Sequence, residues 1–109
     1  MISLFKYLGK NILINIIILI MSRKFIFEFI GTSILVYVLL ATRSPIALGL
    51  TLAIIVLFSK NRSCGYFNPA ITIALSIGGQ IENIDVLPFC LSQIFGAIIG
   101  IYLFNFSKI

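Results

Sequence analysis

Asn68, Pro69 and Ala70 stand immediately before a short apolar run, Ile71 to Ile77, which Gly78 and Gly79 close. Asn is a preferred N-cap and Pro is preferred at the first helical position. Gly78 is suited to ending a helix. The segment Pro69 to Ile77 therefore reads as a helix of nine residues, rising about 13.5 Å. That is roughly half of a hydrocarbon core about 30 Å thick. A capped half-helix in a hydrophobic protein is the signature of a re-entrant segment. Irregular backbone is tolerated at membrane depth only where protein buries it or where it lines a cavity. The stretch before Asn68 thus becomes a candidate pore or binding-site lining. The competing reading is a short amphipathic helix on the surface. The run from Ile71 to Ile77 has no charged face, so it would gain little at an interface compared with burial.

Little other chemistry is available. The chain has no His and three acidic residues, and Cys64 and Cys90 lie far apart rather than in a Cys-x-x-Cys pair. No triad, paired carboxylate, phosphate loop or metal-ligand spacing can be built from these, so an enzyme, a cofactor site and a metal site are not expected. The two cysteines read as small apolar packing residues. Of 109 residues, 61% are hydrophobic and 10% charged. One domain of this size would need far more polar surface to be soluble, so the chain reads as an all-α integral membrane protein.

The elements that position Asn68 follow from the apolar runs. Phe25 to Thr42 is a convincing span that contains one acid, Glu28. Arg43, Ser44 and Pro45 form a short turn. Ile46 to Ser59 is short for a span but reaches across if Ser44, Pro45 and a snorkelling Lys60 extend it. Val86 to Phe106 is a third span, without a charge. The expected architecture is three transmembrane helices plus one re-entrant half-helix. Residues 1–22 stand apart from residues 23–109. The run Ile12 to Met21 is too short to cross and has basic flanks. It reads as interfacial, as signal-like, or as untranslated sequence ahead of a start at Met21.

The net charge of +5 does not point to nucleic acid, because the basic residues sit between apolar runs and no soluble face gathers them. With the N-terminus cytoplasmic, Lys6, Lys10, Arg23, Lys24, Lys60 and Arg62 fall inside, and Arg43 and Lys108 outside. This bias places the C-terminus outside. Glu28 would cost about 2.5–3.5 kcal/mol at the middle of a span without partners. One available partner is Lys24, four residues earlier on the same face. Gly31, Gly49, Gly96, Ala97 and Gly100 would let helices approach closely.

Three stretches, in order, resemble the major intrinsic proteins, the aquaporins and glycerol facilitators. Glu28-Phe29-Ile30-Gly31-Thr32 is similar to the opening of that family's first helix. Phe67-Asn68-Pro69-Ala70-Ile71-Thr72-Ile73-Ala74 is similar to its Asn-Pro-Ala box. Gln93-x-x-Gly96-Ala97-x-x-Gly100 is similar to the small-residue motif of its third helix. The resemblance covers Arg23 to about Phe106 and implies one inverted repeat of the aquaporin-like fold. It implies that Asn68 offers its amide to water or a small uncharged solute such as glycerol, and that carbonyls from Gly65 through Tyr66 to Phe67 complete the lane. Glu28 would then hold the loop through hydrogen bonds, as an alternative to pairing with Lys24. Leu48, which precedes a Gly-Leu pair twenty residues before Asn68, would occupy a filter position or simply pack.

The sequence departs from the family pattern in places. Tyr66 stands where the family usually has His, and the loop after the first helix is short. Only one Asn-Pro-Ala box is present, and the Arg that follows the second box has no counterpart. The expected partners are membrane lipid and a second half-channel subunit or oligomer. A non-conducting remnant and an oligomeric ion leak are the alternatives. A strong positive-inside bias argues against two copies inserted in opposite directions.

Overall fold

The structure is a computed structural model and describes residues 1–20 and 22–108. Its regular elements are all helical: α1 (Ile2–Ile20), α2 (Arg23–Thr42), α3 (Pro45–Ser59), α4 (Pro69–Ile77) and α5 (Asn83–Ser107). The helix breaks follow local chemistry. Arg43, in the left-handed region at φ 50°, ends α2. Ser44 then caps α3, its hydroxyl accepting from Ala47 N–H at 3.2 Å, with Pro45 in the first turn. Gly78 caps the end of α4, and Gly79 takes φ 76° in the turn that leads to α5.

Among the described residues two helices, α2 and α5, are long and apolar enough to cross a bilayer. At fifteen residues α3 reaches only about 22 Å, so its length alone does not make it a third span. The N-terminal helix is longer than the aliphatic run suggests. It begins at Ile2 and carries Lys6 and Lys10 within it, because Leu4, Phe5 and Leu8 continue the apolar spacing upstream of Ile12. Met21 lies outside the described residues.

The interior is more polar than the surface. Buried residues include Glu28, Thr32, Ser33, Ser59, Thr72, Ser92 and Gln93, whereas the buried hydrophobic set is Phe25, Ile55, Phe67, Ile81 and Phe89. Large aliphatic and aromatic side chains stand exposed along every helix. A water-soluble domain shows the reverse distribution. In lipid, helices associate through close packing and interhelical hydrogen bonds, and the α2–α5 pair shows both. A Cβ on Gly96 would lie 2.5 Å from Phe29 O, and one on Gly100 would lie 2.7 Å from Ser33 O. The Ser33 hydroxyl donates to Gly96 O at 2.8 Å. Ala97 is half-buried beside them. Helix α3 packs on α2, and α4 packs on α5.

One end of the bundle is tied by aromatic rings. Phe25 and Phe89 meet edge to face at 4.9 Å, and Tyr66 meets Phe89 at 5.3 Å. Lys24 pairs with Asp85 at 2.8 Å and lies 5.0 Å above the Phe25 ring. Leu75, near the C-terminal end of α4, packs against this same cluster. The loop before α4 reaches Thr32, the tenth residue of twenty in α2. Helix α4 therefore starts level with the middle of α2 and ends beside the first turns of α2 and α5.

Candidate functional site

Glu28 is fully buried on α2 and accepts four hydrogen bonds. Oε1 receives the Tyr66 N–H at 3.0 Å and the Ser63 hydroxyl at 3.2 Å. Oε2 receives the Phe67 N–H at 2.6 Å and the Gln93 amide at 3.2 Å. Several donors aimed at one carboxylate offset the loss of water around it. Lys24 does not share this site, since its ammonium is on Asp85.

These bonds hold the loop in a shape it would not adopt unaided. Phe67 has φ 54°, in the left-handed region that bulky residues avoid. Such a conformation costs on the order of 1–3 kcal/mol and persists only when its surroundings enforce it. Three contacts do so. Glu28 takes its N–H, the Thr32 hydroxyl lies 3.4 Å from its carbonyl, and its ring fills the space that a side chain at position 31 would occupy. Gly31 is thus required by the Phe67 ring. Gly65, at φ 72°, turns the chain just upstream and faces the Val56 side chain.

Asn68 follows as the N-cap of α4. Its Oδ1 accepts from Ala70 N–H at 2.8 Å. Only an oxygen can accept that proton, so the side-chain NH2 is the group turned outward. Asn68 and Ala70 are exposed, and Pro69 is half-buried. The Asn68 carbonyl accepts from the Thr72 N–H and lies 3.0 Å from the Thr72 hydroxyl. Thr72 is fully buried and accepts from Gln93 Nε2 at 2.9 Å. Its own proton has two acceptors within 3.0 Å, the Asn68 carbonyl and Gln93 Oε1.

A continuous polar network therefore runs from Glu28 through Gln93 and Thr72 to the cap of α4. Among the described residues, every buried side-chain nitrogen and oxygen has a partner. Gln93, expected only as part of a packing motif, is the hub of this network. Thr72, Thr32 and Ser63 were not singled out in the sequence. The available signal was spacing: Thr72 lies four residues after Asn68 and Thr32 four after Glu28, so each shares a helix face with its partner.

Two expected residues are not drawn in. Leu48 is half-buried on α3, and among the described residues α3 makes no packing contact with α4. Gly49 was expected at a helix contact, but a Cβ there would meet nothing within 4 Å. Among the described residues, no other helix packs at that position of α3. A recess of about 230 Å³ opens beside the loop, bounded by Lys60, Ser63, Cys64 and Gly65 among others.

Comparison with known proteins places this geometry in a family. Residues 43–108 match the family described as Major intrinsic protein. Aquaporin Z of Photorhabdus laumondii is 34% identical over 95 residues, covering 73% of this chain and 41% of that protein. Glycerol uptake facilitator protein-like 6 of Lactiplantibacillus plantarum is 35% identical over 87 residues, covering 72% of this chain and 40% of that protein. Aquaporin-8 of Notomys alexis is 40% identical over 55 residues, covering 50% and 21% respectively. The chain thus spans about two-fifths of the length of the first two relatives. No solved structure gives a significant match. With the family match reaching from Arg43 through the capped helix to Lys108, the chain belongs to the major intrinsic protein family.

Proposed function

We propose that residues 23–109 form one half of a membrane channel for water or a small uncharged solute such as glycerol. The observation that carries this reading is the orientation of Asn68. Its oxygen is bound to Ala70 N–H, so its NH2 faces outward at the start of α4, level with the middle of α2. A solute stripped of bulk water needs such a donor, because an unpaired buried polar group costs about 1–3 kcal/mol. Gly65, Tyr66 and Phe67 lead to that point. The Thr32 hydroxyl donates to the Glu28 carbonyl at 2.7 Å and lies 3.4 Å from the Phe67 carbonyl, so the Phe67 carbonyl stays available as an acceptor with those before it. The start of α4 carries a partial positive charge of about half an electron. Placed at mid-membrane, it disfavours cations and protons. The names of the relatives, aquaporin and glycerol uptake facilitator, support the solute class.

In this reading α2, α3 and α5 span the bilayer, and α4 with its loop enters from one side and returns to it. Basic residues gather at the end where the loop enters. Lys24 is on Asp85, and Arg62 lies 5.7 Å from the Phe27 ring. That end is cytoplasmic by the positive-inside rule, and Lys108 is outside. A second half supplies the rest of the wall, meeting the outward faces of α3 and α4, where Leu48, Gly49, Asn68 and Ala70 stand. The strong charge bias favours a distinct second half over a second copy of this chain.

Osmotic shrinkage of proteoliposomes tests the reading. Water or glycerol flux is expected when a family second half, carrying its own Asn-Pro-Ala box, is co-reconstituted, with ion conductance at background. Absence of flux under every pairing would identify a non-conducting remnant. Ion current from the chain alone would identify an oligomeric leak.

A further inference from the structure

Helix α1 is not used by the channel reading. Its first three turns sort by chemistry, and beyond Lys10 the lysine face continues as the exposed Ile14 and Ile17. Ser3, Lys6, Tyr7 and Lys10 follow one another at helical spacing on one face. Phe5, Leu8, Ile12 and Ile16 line the other face, all exposed, with Phe5 at 67% and Ile12 at 59%. Among the described residues the helix packs on α2 and α5 alone, and both lysines are exposed. No acid precedes Glu28 in the sequence, and Glu28 is buried. Nothing on α1 neutralises Lys6 or Lys10.

We propose that α1 is a surface anchor that lies along the bilayer and binds anionic lipid headgroups through Lys6 and Lys10. An apolar face beside a basic face is the arrangement that seats a helix at the headgroup boundary. Membrane is the occupant because α1 adjoins α2, a helix long and apolar enough to cross it. Helix α1 does not cross instead. Its nineteen residues would rise about 28.5 Å, but crossing would place Lys10, the ninth of them, in mid-bilayer at a cost of about 2.5–3.5 kcal/mol. The aliphatic part alone, Ile12 to Ile20, rises about 13.5 Å, less than half of the hydrocarbon thickness. Basic residues flank that part on both sides, Lys6 and Lys10 before it and Arg23 and Lys24 after it. Both ends are therefore held at the same headgroup layer. Each lysine near an anionic surface strengthens docking about fivefold, and the effect weakens as salt rises.

The test uses the full chain with Cys64 and Cys90 replaced by Ala and one cysteine introduced at Leu8, Ile12 or Ile16. Each is labelled with an environment-sensitive fluorophore. Vesicles of phosphatidylcholine are compared with vesicles that also contain phosphatidylglycerol, and nitroxide quenchers are placed at shallow or deep positions in the lipid. The expected result is shallow quenching in the anionic vesicles, with more water exposure in the neutral ones. K6Q with K10Q, whose helicity by circular dichroism should match the parent, is expected to remove most of the difference, a loss of roughly twentyfold to thirtyfold in docking. Deep quenching in both lipids would show that α1 inserts. Water exposure in both would show that it does not dock, and an undiminished difference in the double variant would show that the lysines do not bind the headgroups. Any of these three results overturns the proposal. None depends on solute flux.

Discussion

Gln93 donates to Glu28 Oε2 at 3.2 Å across sixty-five positions of sequence, joining the middle of α5 to the first half of α2 inside the bundle. This contact completes the set around the Glu28 carboxylate, which otherwise takes its donors from the loop. Both side chains are fully buried, so removing one leaves the other's polar group without its partner inside the bundle. The loop geometry and the α2–α5 contact are therefore coupled through one carboxylate.

Glu28→Ala is expected to be strongly destabilising. It leaves the Tyr66 and Phe67 N–H groups without acceptors and removes the clamp on the left-handed Phe67. Each buried donor left without an acceptor costs about 1–3 kcal/mol, and Glu28→Ala orphans more than one. Glu28→Gln keeps the volume but turns an NH2 towards backbone donors, at a cost of about 1–3 kcal/mol. Equilibrium unfolding in detergent measures both. A loss below about 1 kcal/mol for the Ala variant would mean that the carboxylate does not hold the loop.

Thr72 and Gln93 should show measurable coupling. Thr72→Val and Gln93→Leu each remove one side of a buried pair. Interhelical hydrogen bonds in membranes average about 0.6 kcal/mol in double-mutant cycles and reach about 1.7 kcal/mol. Since Gln93 also serves Glu28, the single Gln93 variant should cost more than the single Thr72 variant. A cycle from unfolding free energies that gave zero coupling would remove Thr72 from the network.

The helices around the site were legible in the sequence because lipid and capping chemistry write plain signals. Asn68, Pro69 and Gly78 bound α4 at the expected positions, since cap preference and proline geometry act locally. The start of α1 is not legible in the sequence, because the aliphatic run begins at Ile12 while the helix continues upstream through two lysines. The role of Thr72 is hidden for a related reason. A hydroxyl in an aliphatic run looks like filler until its partner on another helix is known, and periodicity does not reveal which faces meet. Gly49 shows the converse: a Cβ there would meet nothing within 4 Å in this chain. A small residue permits close approach, but only the presence of a neighbour decides whether one occurs.

Glycine substitutions should separate contacts within the chain from contacts made by a second half. In Gly96→Ala and Gly100→Ala the new methyl meets backbone oxygens that cannot swing away, and overpacking of this kind costs about 1–3 kcal/mol. At Gly31 the obstacle is the Phe67 ring, so Gly31→Ala should also disturb the loop. Gly49→Ala meets open space and should leave the unfolding midpoint of this chain unchanged or slightly raised, since Ala is the better helix former. A loss at Gly49 that appears only when a second half is added would place that partner against α3.

Asn68 allows its two roles to be parted. Asn68→Ala removes the cap acceptor and the outward donor together, costing about 1 kcal/mol of stability as well as flux. Asn68→Asp retains an oxygen for Ala70 N–H, so the helix start should survive, and a negative charge there suits the partial positive charge of α4. The NH2 is lost, however, and the sign of the local field is reversed. The completed channel should then pass water or glycerol more slowly while its cation permeability rises. Stopped-flow shrinkage and bilayer conductance on the same preparation measure the two effects. If Asn68→Asp keeps full solute flux and stays closed to cations, the outward amide is not part of the pore wall.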